Sequence, residues 1–294
     1  MPTVHIPSRM DKYGVDCFLS QIFLPNGHLY AENYLFDFKA LTFIEPSGVV
    51  SLSNAVDFIN NTGRKVSFLG INDASQPIRY LDDSGFFKLY LGTPRRSGAG
   101  LRSTTVPLQR VEWGNSHFWL DSNFLSWMGR QLGMNARSLS GVKTCLSEIF
   151  NNIKDHSGLN IGSIYIQHFP RKHKITICIA DFGYGIPFTI RRKFSCFEKD
   201  CDAILHASKD AVTSQSVPGN RGAGLDFLIR NVVDIHKGNI YIASGYGKLN
   251  CVPHPNGAYR WGDEVSGFYP GTLIEIDLNT GTIVADEEEE DMEW

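Results

Sequence analysis

No two of the six cysteines in this 294-residue chain (Cys17, Cys145, Cys178, Cys196, Cys201, Cys251) are spaced as CxxC. Neither a zinc ribbon nor a thioredoxin-like redox site is therefore indicated. Cys196, Cys201 and His206 come nearest to a metal-ligand spacing; reduced thiols in a loop-rich stretch are the plainer reading and suit a reducing compartment. Long apolar runs are missing too. None approaches the roughly 18 residues that span a bilayer, and the opening MPTVHIPSRMDK has no secretory apolar stretch. A cytoplasmic location is the resulting expectation. No GxxxxGK[ST] loop occurs, which excludes the Walker class as a motif match. A strong excess of one charge is also lacking. The formal charge is −3, and residues 286–293 alone hold seven acidic side chains, so the rest is weakly positive and nucleic acid is not indicated. With 42% hydrophobic residues the chain can bury a full core, and its length points to two domains.

The stretch that organises the rest is LSEIFNNIKDHS, residues 146–157. As a helix it places Glu148, Asn152 and His156 at i, i+4 and i+8 on one side, while Leu146, Ile149, Phe150 and Ile153 form an apolar side. Such a helix can pack against a core and still present polar groups. Three glycine signals follow: Asp181-Phe-Gly183-Tyr-Gly185-Ile186 after an apolar strand at residues 174–180, then Gly222-Ala-Gly224-Leu225 opening an apolar helix, then Gly271-Thr272 before the alternating LIEIDL. Glycines permit positive φ and close backbone approach, and a glycine-rich helix start presents free N–H groups to an anion.

Together these four pieces resemble the nucleotide-binding boxes of the GHKL ATPases, the superfamily of gyrase, the MutL repair proteins, histidine kinases and anti-sigma-factor serine kinases. The resemblance implies an α/β sandwich of the Bergerat type over residues 111–284, with a mixed sheet covered by helices on one face. It implies ATP and Mg²⁺ as cofactors. Asp181 would then read the exocyclic amine of adenine, which guanine lacks at that edge, with Thr272 assisting and Gly183 and Gly185 allowing close approach. Asn152 would offer Mg²⁺ the hard oxygen it prefers, and Glu148 would be the general base. His156, Arg221, Gly222, Gly224 and Leu225 would lie around the phosphates. Residues 187–220 correspond to the family's ATP lid. There, Arg191, Arg192 and Lys193 are either phosphate sensors or a solvated charged face, the latter being the plainer reading.

Residues 1–92 read as a separate α/β domain. Residues 41–44 form a strand candidate, 49–59 a helix, 65–70 a second strand and 78–90 a further helical pattern, which implies a βαβ unit. With a strand running into Glu45-Pro46-Ser47-Gly48, this order resembles the STAS domains of anti-sigma-factor antagonists. In that family a hydroxyl at the helix start accepts phosphate, which makes Ser47 the candidate phosphoacceptor here, or else an N-cap. Residues 93–110, rich in Gly, Pro, Ser, Thr and Arg, read as an exposed linker. Residues 118–132 read as an apolar helix, residues 241–267 contain a long aromatic loop, and 285–294 is an acidic, disordered tail.

Two functions follow as expectations. One is a Mg-ATP-dependent signalling enzyme, an ATPase or serine/threonine kinase, with the STAS-like domain as regulator or substrate. The other is an ATP-gated module that acts on a partner protein through lid closure. A histidine kinase is disfavoured because His117 lacks the context of a phosphoacceptor. The implied partners are an adenine nucleotide and a protein, a second copy of this chain in a homodimer being one candidate.

Overall fold

The computed structural model describes residues 1–72, 75–158, 161–209 and 224–283. It is a mixed α/β fold. The chain begins with β1 (Thr3–His5), β2 (Arg9–Met10), α1 (Gly14–Leu19), β3 (Asn33–Asp37), β4 (Phe43–Ile44), α2 (Pro46–Asn61), β5 (Lys65–Leu69), α3 (Gln76–Asp83) and α4 (Phe86–Leu91). The sheet here has the order β1-β3-β5, all parallel, with α2 as the crossover between β3 and β5. The βαβ unit is present, but its first strand is residues 33–37 rather than 41–44. In β3 Tyr34 and Phe36 are buried at alternate positions, whereas β4 is two residues long and pairs with β2. Glu45 stands at the N-cap of α2 and Pro46 enters the first turn, so Ser47 does not cap the helix.

The remainder comprises β6 (Thr105–Glu112), α5 (Trp113–Trp119), α6 (Ser126–Leu132), α7 (Ser140–His156), β7 (Ile161–Phe169), β8 (Lys174–Asp181), α8 (Ile186–Arg191), α9 (Asp200–Ala207), α10 (Leu225–Ile229), β9 (Asn239–Val252) and β10 (Tyr259–Asn279). A π-helical turn, Leu120–Leu125, joins α5 to α6. The five strands lie in the order β6-β7-β8-β10-β9. Every described pair is antiparallel, so the expected mixed sheet is not found.

Nor does this sheet have one covered face. Successive side chains of a strand point to opposite faces. Ile164, Ile166, Ile175, Ile177, Ile179, Ile274 and Ile276 join the core beneath α5, α6, α7 and α10. Tyr165, Cys178, Ala180, Tyr241, Ala243 and Leu273 join the core shared with α1 and α2. The apolar run ITICIA of β8 is thus buried on both sides.

The contact between α2 and this sheet includes a polar seam. Arg110 Nε donates to Asp57 Oδ2 at 2.9 Å and Asn54 Nδ2 donates to the Tyr269 hydroxyl at 2.8 Å; beside them Lys12, from the turn before α1, extends the seam by pairing with Glu275 at 3.2 Å.

Two further expectations change. The stretch 93–110 is not wholly an exposed linker, because β6 begins within it at Thr105 and pairs with β7. Its arginines are also engaged. The backbone N–H groups of Arg95 and Arg96 donate to Asp82 at 2.8 and 3.0 Å, the Arg96 Nε lies 3.3 Å from the same carboxylate, and Arg102 Nη2 donates to Asp83 at 3.0 Å. The stretch 241–267 is a long ribbon of β9 and β10 paired from Val252↔Tyr259 to Gly247↔Glu264, with only residues 253–258 as its turn. Among the described residues no helix is long and apolar enough to cross a membrane.

Candidate functional site

Helix α7 buries Leu146, Ile149, Phe150 and Ile153 against the sheet. Its other side, with Glu148, Asn152 and His156, lines a cleft of about 610 Å³. The size suits a nucleotide-sized ligand. Asp181, Gly185, Gly224, Leu225 and Thr272 line the same cleft. Arg221, Gly222 and the tail from residue 284 lie outside the described residues.

The floor is set by strand pairing. Asp181 ends β8 opposite Thr272 of β10, so carboxyl and hydroxyl share one face. The Gly183 N–H donates to Asp181 Oδ1 at 2.6 Å, and the Thr272 amide also donates to this carboxylate. Burial nevertheless dominates and pushes the Asp181 carboxyl up to about 7, with the two amides opposing it. Among the described residues no cation pairs with it. Gly271 has φ +75°, and a Cβ there would meet Asp181 Oδ1 at 2.7 Å. Gly183 packs so closely on the end of α7 that a Cβ would fall 2.1 Å from Ser157 Cα. The loop and the helix are thereby held together.

Ser244 of β9, absent from the sequence reading, ties this floor. Its hydroxyl donates to the Gly271 carbonyl at 2.6 Å, accepts the Ile186 N–H at 2.9 Å and lies 3.4 Å from Thr272 Oγ1. No local pattern marks it, since IYIAS reads simply as a strand. Trp113, Asn151 and Thr189 also line the cleft unanticipated. Trp113 arrives from the end of β6, a contact no spacing along the chain announces.

Glu148 has its carboxyl raised, first by burial and then by Asp155, with the Asn151 amide opposing. His156 is lowered, chiefly by burial and further by Lys193, against Asp155.

Several sequence candidates are placed elsewhere. The Arg191 guanidinium is neither a free phosphate sensor nor a solvated face. Its Nε and Nη2 donate to the carbonyls of Phe197 and Glu198, each at 2.9 Å, and its Nη1 pairs with Asp200. Ser47 is fully buried on the opposite side of the sheet, beside Glu275. Its hydroxyl is inaccessible in this arrangement, so phosphorylation there would require α2 to part from the sheet. His206 packs on Phe194 and Phe197, with ring centroids 4.9 and 4.8 Å away. Among the described residues no three His, Cys, Asp or Glu side chains gather to hold a metal ion.

No protein-family model matches this chain, and no curated protein matches it. The chemistry of the cleft must therefore speak for itself. At one end is a buried carboxyl with amide donors but no cation, which asks for a further donor such as an amine. Along the α7 wall are the oxygens of Glu148 and Asn152, of the hard type that suits a hydrated Mg²⁺. A buried acceptor at one end and hard oxygens along the wall fit a ligand that brings an amine donor and a hydrated cation such as Mg²⁺.

Proposed function

We propose that this protein binds Mg-ATP in the cleft and turns it over as a GHKL-type ATPase or serine/threonine kinase. The observation that supports the reading most is the convergence of Asp181 and Thr272 from paired strands with Glu148 and Asn152 from α7 on one cavity. Asp181 accepts the base amine, and Asn152 offers its side-chain oxygen to the metal. Glu148, ionised, takes a proton from the attacking hydroxyl or water. Bound Mg-ATP supplies the transferable phosphoryl group and the charge of the ion. With Ser47 buried, the acceptor is water or a hydroxyl of a protein partner.

A second reading is a nucleotide-gated switch, in which residues 1–92 act as a STAS-like regulatory domain in a cytoplasmic signalling protein. It is favoured by β10, where Thr272 and Ile274 face the cleft while Leu273 packs in the core shared with α2 and Glu275 pairs with Lys12. A displacement of this strand at the cleft would be felt at the polar seam.

A single-turnover incubation with γ-labelled ATP and Mg²⁺, following free phosphate and protein-bound label, tests both. Free phosphate that is lost in Glu148→Ala supports the ATPase. Label passed to a hydroxyl protein substrate supports the kinase, and tight binding without either product supports the switch. Equal binding of GTP and ATP would sink the assignment of the base.

A further inference from the structure

We propose that Asn151 is a positioning residue for Glu148, and that the Trp113 indole decides which way the Asn151 amide points. The inference rests on the reading of Glu148 as general base.

Trp113 is the first residue of α5, where the chain leaves β6, and its side chain lines the cleft. Its Nε1–H donates to Asn151 Oδ1 at 3.1 Å. An indole N–H can only donate, so the amide oxygen of Asn151 must face it and the NH₂ must face away. Asn151 stands three residues after Glu148 on α7, the spacing at which helical side chains meet. The NH₂ group, turned from the indole, is thereby left to the Glu148 carboxylate one turn back on the helix, and the Asn151 amide opposes the upward push of burial and of Asp155 on that carboxyl. The indole is itself held, since the Lys154 ammonium lies 3.8 Å from its ring centroid. The charged or titratable groups that bear on Glu148 among the described residues are Asp155 and Cys145, both of α7.

The adjacent asparagines therefore divide their work. Asn151 has its oxygen engaged by Trp113 and spends its NH₂ on Glu148, while Asn152 is left to the ligand. A carboxylate that must meet a hydroxyl or water in one orientation gains from a fixed donor behind it, because misplacement at a reacting centre reduces rate far more than affinity.

Asn151→Asp separates positioning from packing. It keeps an oxygen for the Trp113 N–H and removes the donor to Glu148, whereas Asn151→Ala removes both. Three quantities are measured on wild type, the two Asn151 variants and Trp113→Phe: ATP affinity, the single-turnover rate with Mg-ATP, and the ¹H–¹⁵N signal of the Trp113 indole without nucleotide. The expected result is a rate loss of about tenfold or more in both Asn151 variants, larger than any loss of ATP affinity in the same variant, and a smaller rate loss in Trp113→Phe. The indole signal should move in Asn151→Ala and stay in Asn151→Asp.

A wild-type rate in Asn151→Asp overturns the proposal, since the residue would then serve only to pack Trp113. An unmoved indole signal in Asn151→Ala overturns it without any nucleotide. A wild type that fails to bind or turn over ATP defeats the reading of Glu148 itself, and this inference with it. That outcome is seen in the wild type alone and is distinct from failure in the variants.

Discussion

Asp181 and Thr272 face each other across β8 and β10, and the carboxyl of one and the hydroxyl of the other open onto the same cleft. Asp181 is only 7% exposed. Burial of a carboxyl supported by amides and no cation opposes its ionisation, and this single feature has consequences for both ligand choice and stability.

Removing that ionisation should stabilise the ligand-free protein at alkaline pH. The folded-state value of about 7 lies above the ordinary aspartate value of 3.8, so Asp181 opposes folding once it ionises. Its penalty is absent below the unfolded value, grows as pH rises, and is complete above about 7. Asp181→Asn should therefore gain stability over wild type at pH 8.5 relative to pH 3, by up to about 4 kcal/mol. Urea unfolding at both pH values measures it, and a pH-independent difference would contradict the assignment. The same variant should lose the preference for ATP over GTP.

Asn152→Ala should make nucleotide binding insensitive to Mg²⁺. Calorimetry with and without the ion, at fixed ionic strength, reads this directly. If the Mg²⁺ response is retained, Asn152 is not the ligand.

Ser244→Ala should loosen the floor of the cleft. It leaves the Ile186 N–H and the Gly271 carbonyl without their partner, which is expected to cost about 2 kcal/mol in unfolding free energy. Amide exchange at Ile186 should accelerate, and ATP affinity should fall. An unchanged exchange rate would show that the hydroxyl is dispensable.

The pair Lys12–Glu275 offers a test of the polar seam. Glu275 is nearly inaccessible, so Lys12→Met leaves a buried carboxyl unmatched and should destabilise by about 3 kcal/mol. Adding Glu275→Leu removes that charge and should restore most of the loss. Chemical denaturation of the single and double variants decides between the two outcomes.

What was legible in the sequence was local. The i, i+4, i+8 spacing of Glu148, Asn152 and His156 beside Leu146, Ile149, Phe150 and Ile153 specifies one helix with two distinct sides, because 3.6 residues per turn follows from the backbone alone. The apolar run into Asp181 and the glycines around it likewise announced a buried strand ending in a tight loop. What remained hidden depended on contacts between distant parts of the chain. Residues 33–37 became the partner of β5 through sheet pairing, and residues 105–110, masked by the Gly- and Ser-rich stretch before them, became an edge strand because β7 offered its hydrogen bonds. Ser47 looked like an exposed helix start until the second sheet covered α2, and Arg191 looked available until three acceptors from residues 197–200 enclosed it. Trp113 reached the cleft, and Ser244 the strand end beneath it, in the same way. Periodicity fixes which side of an element is apolar; which partner covers that side, and which polar groups then find one another, is settled only when the layers pack.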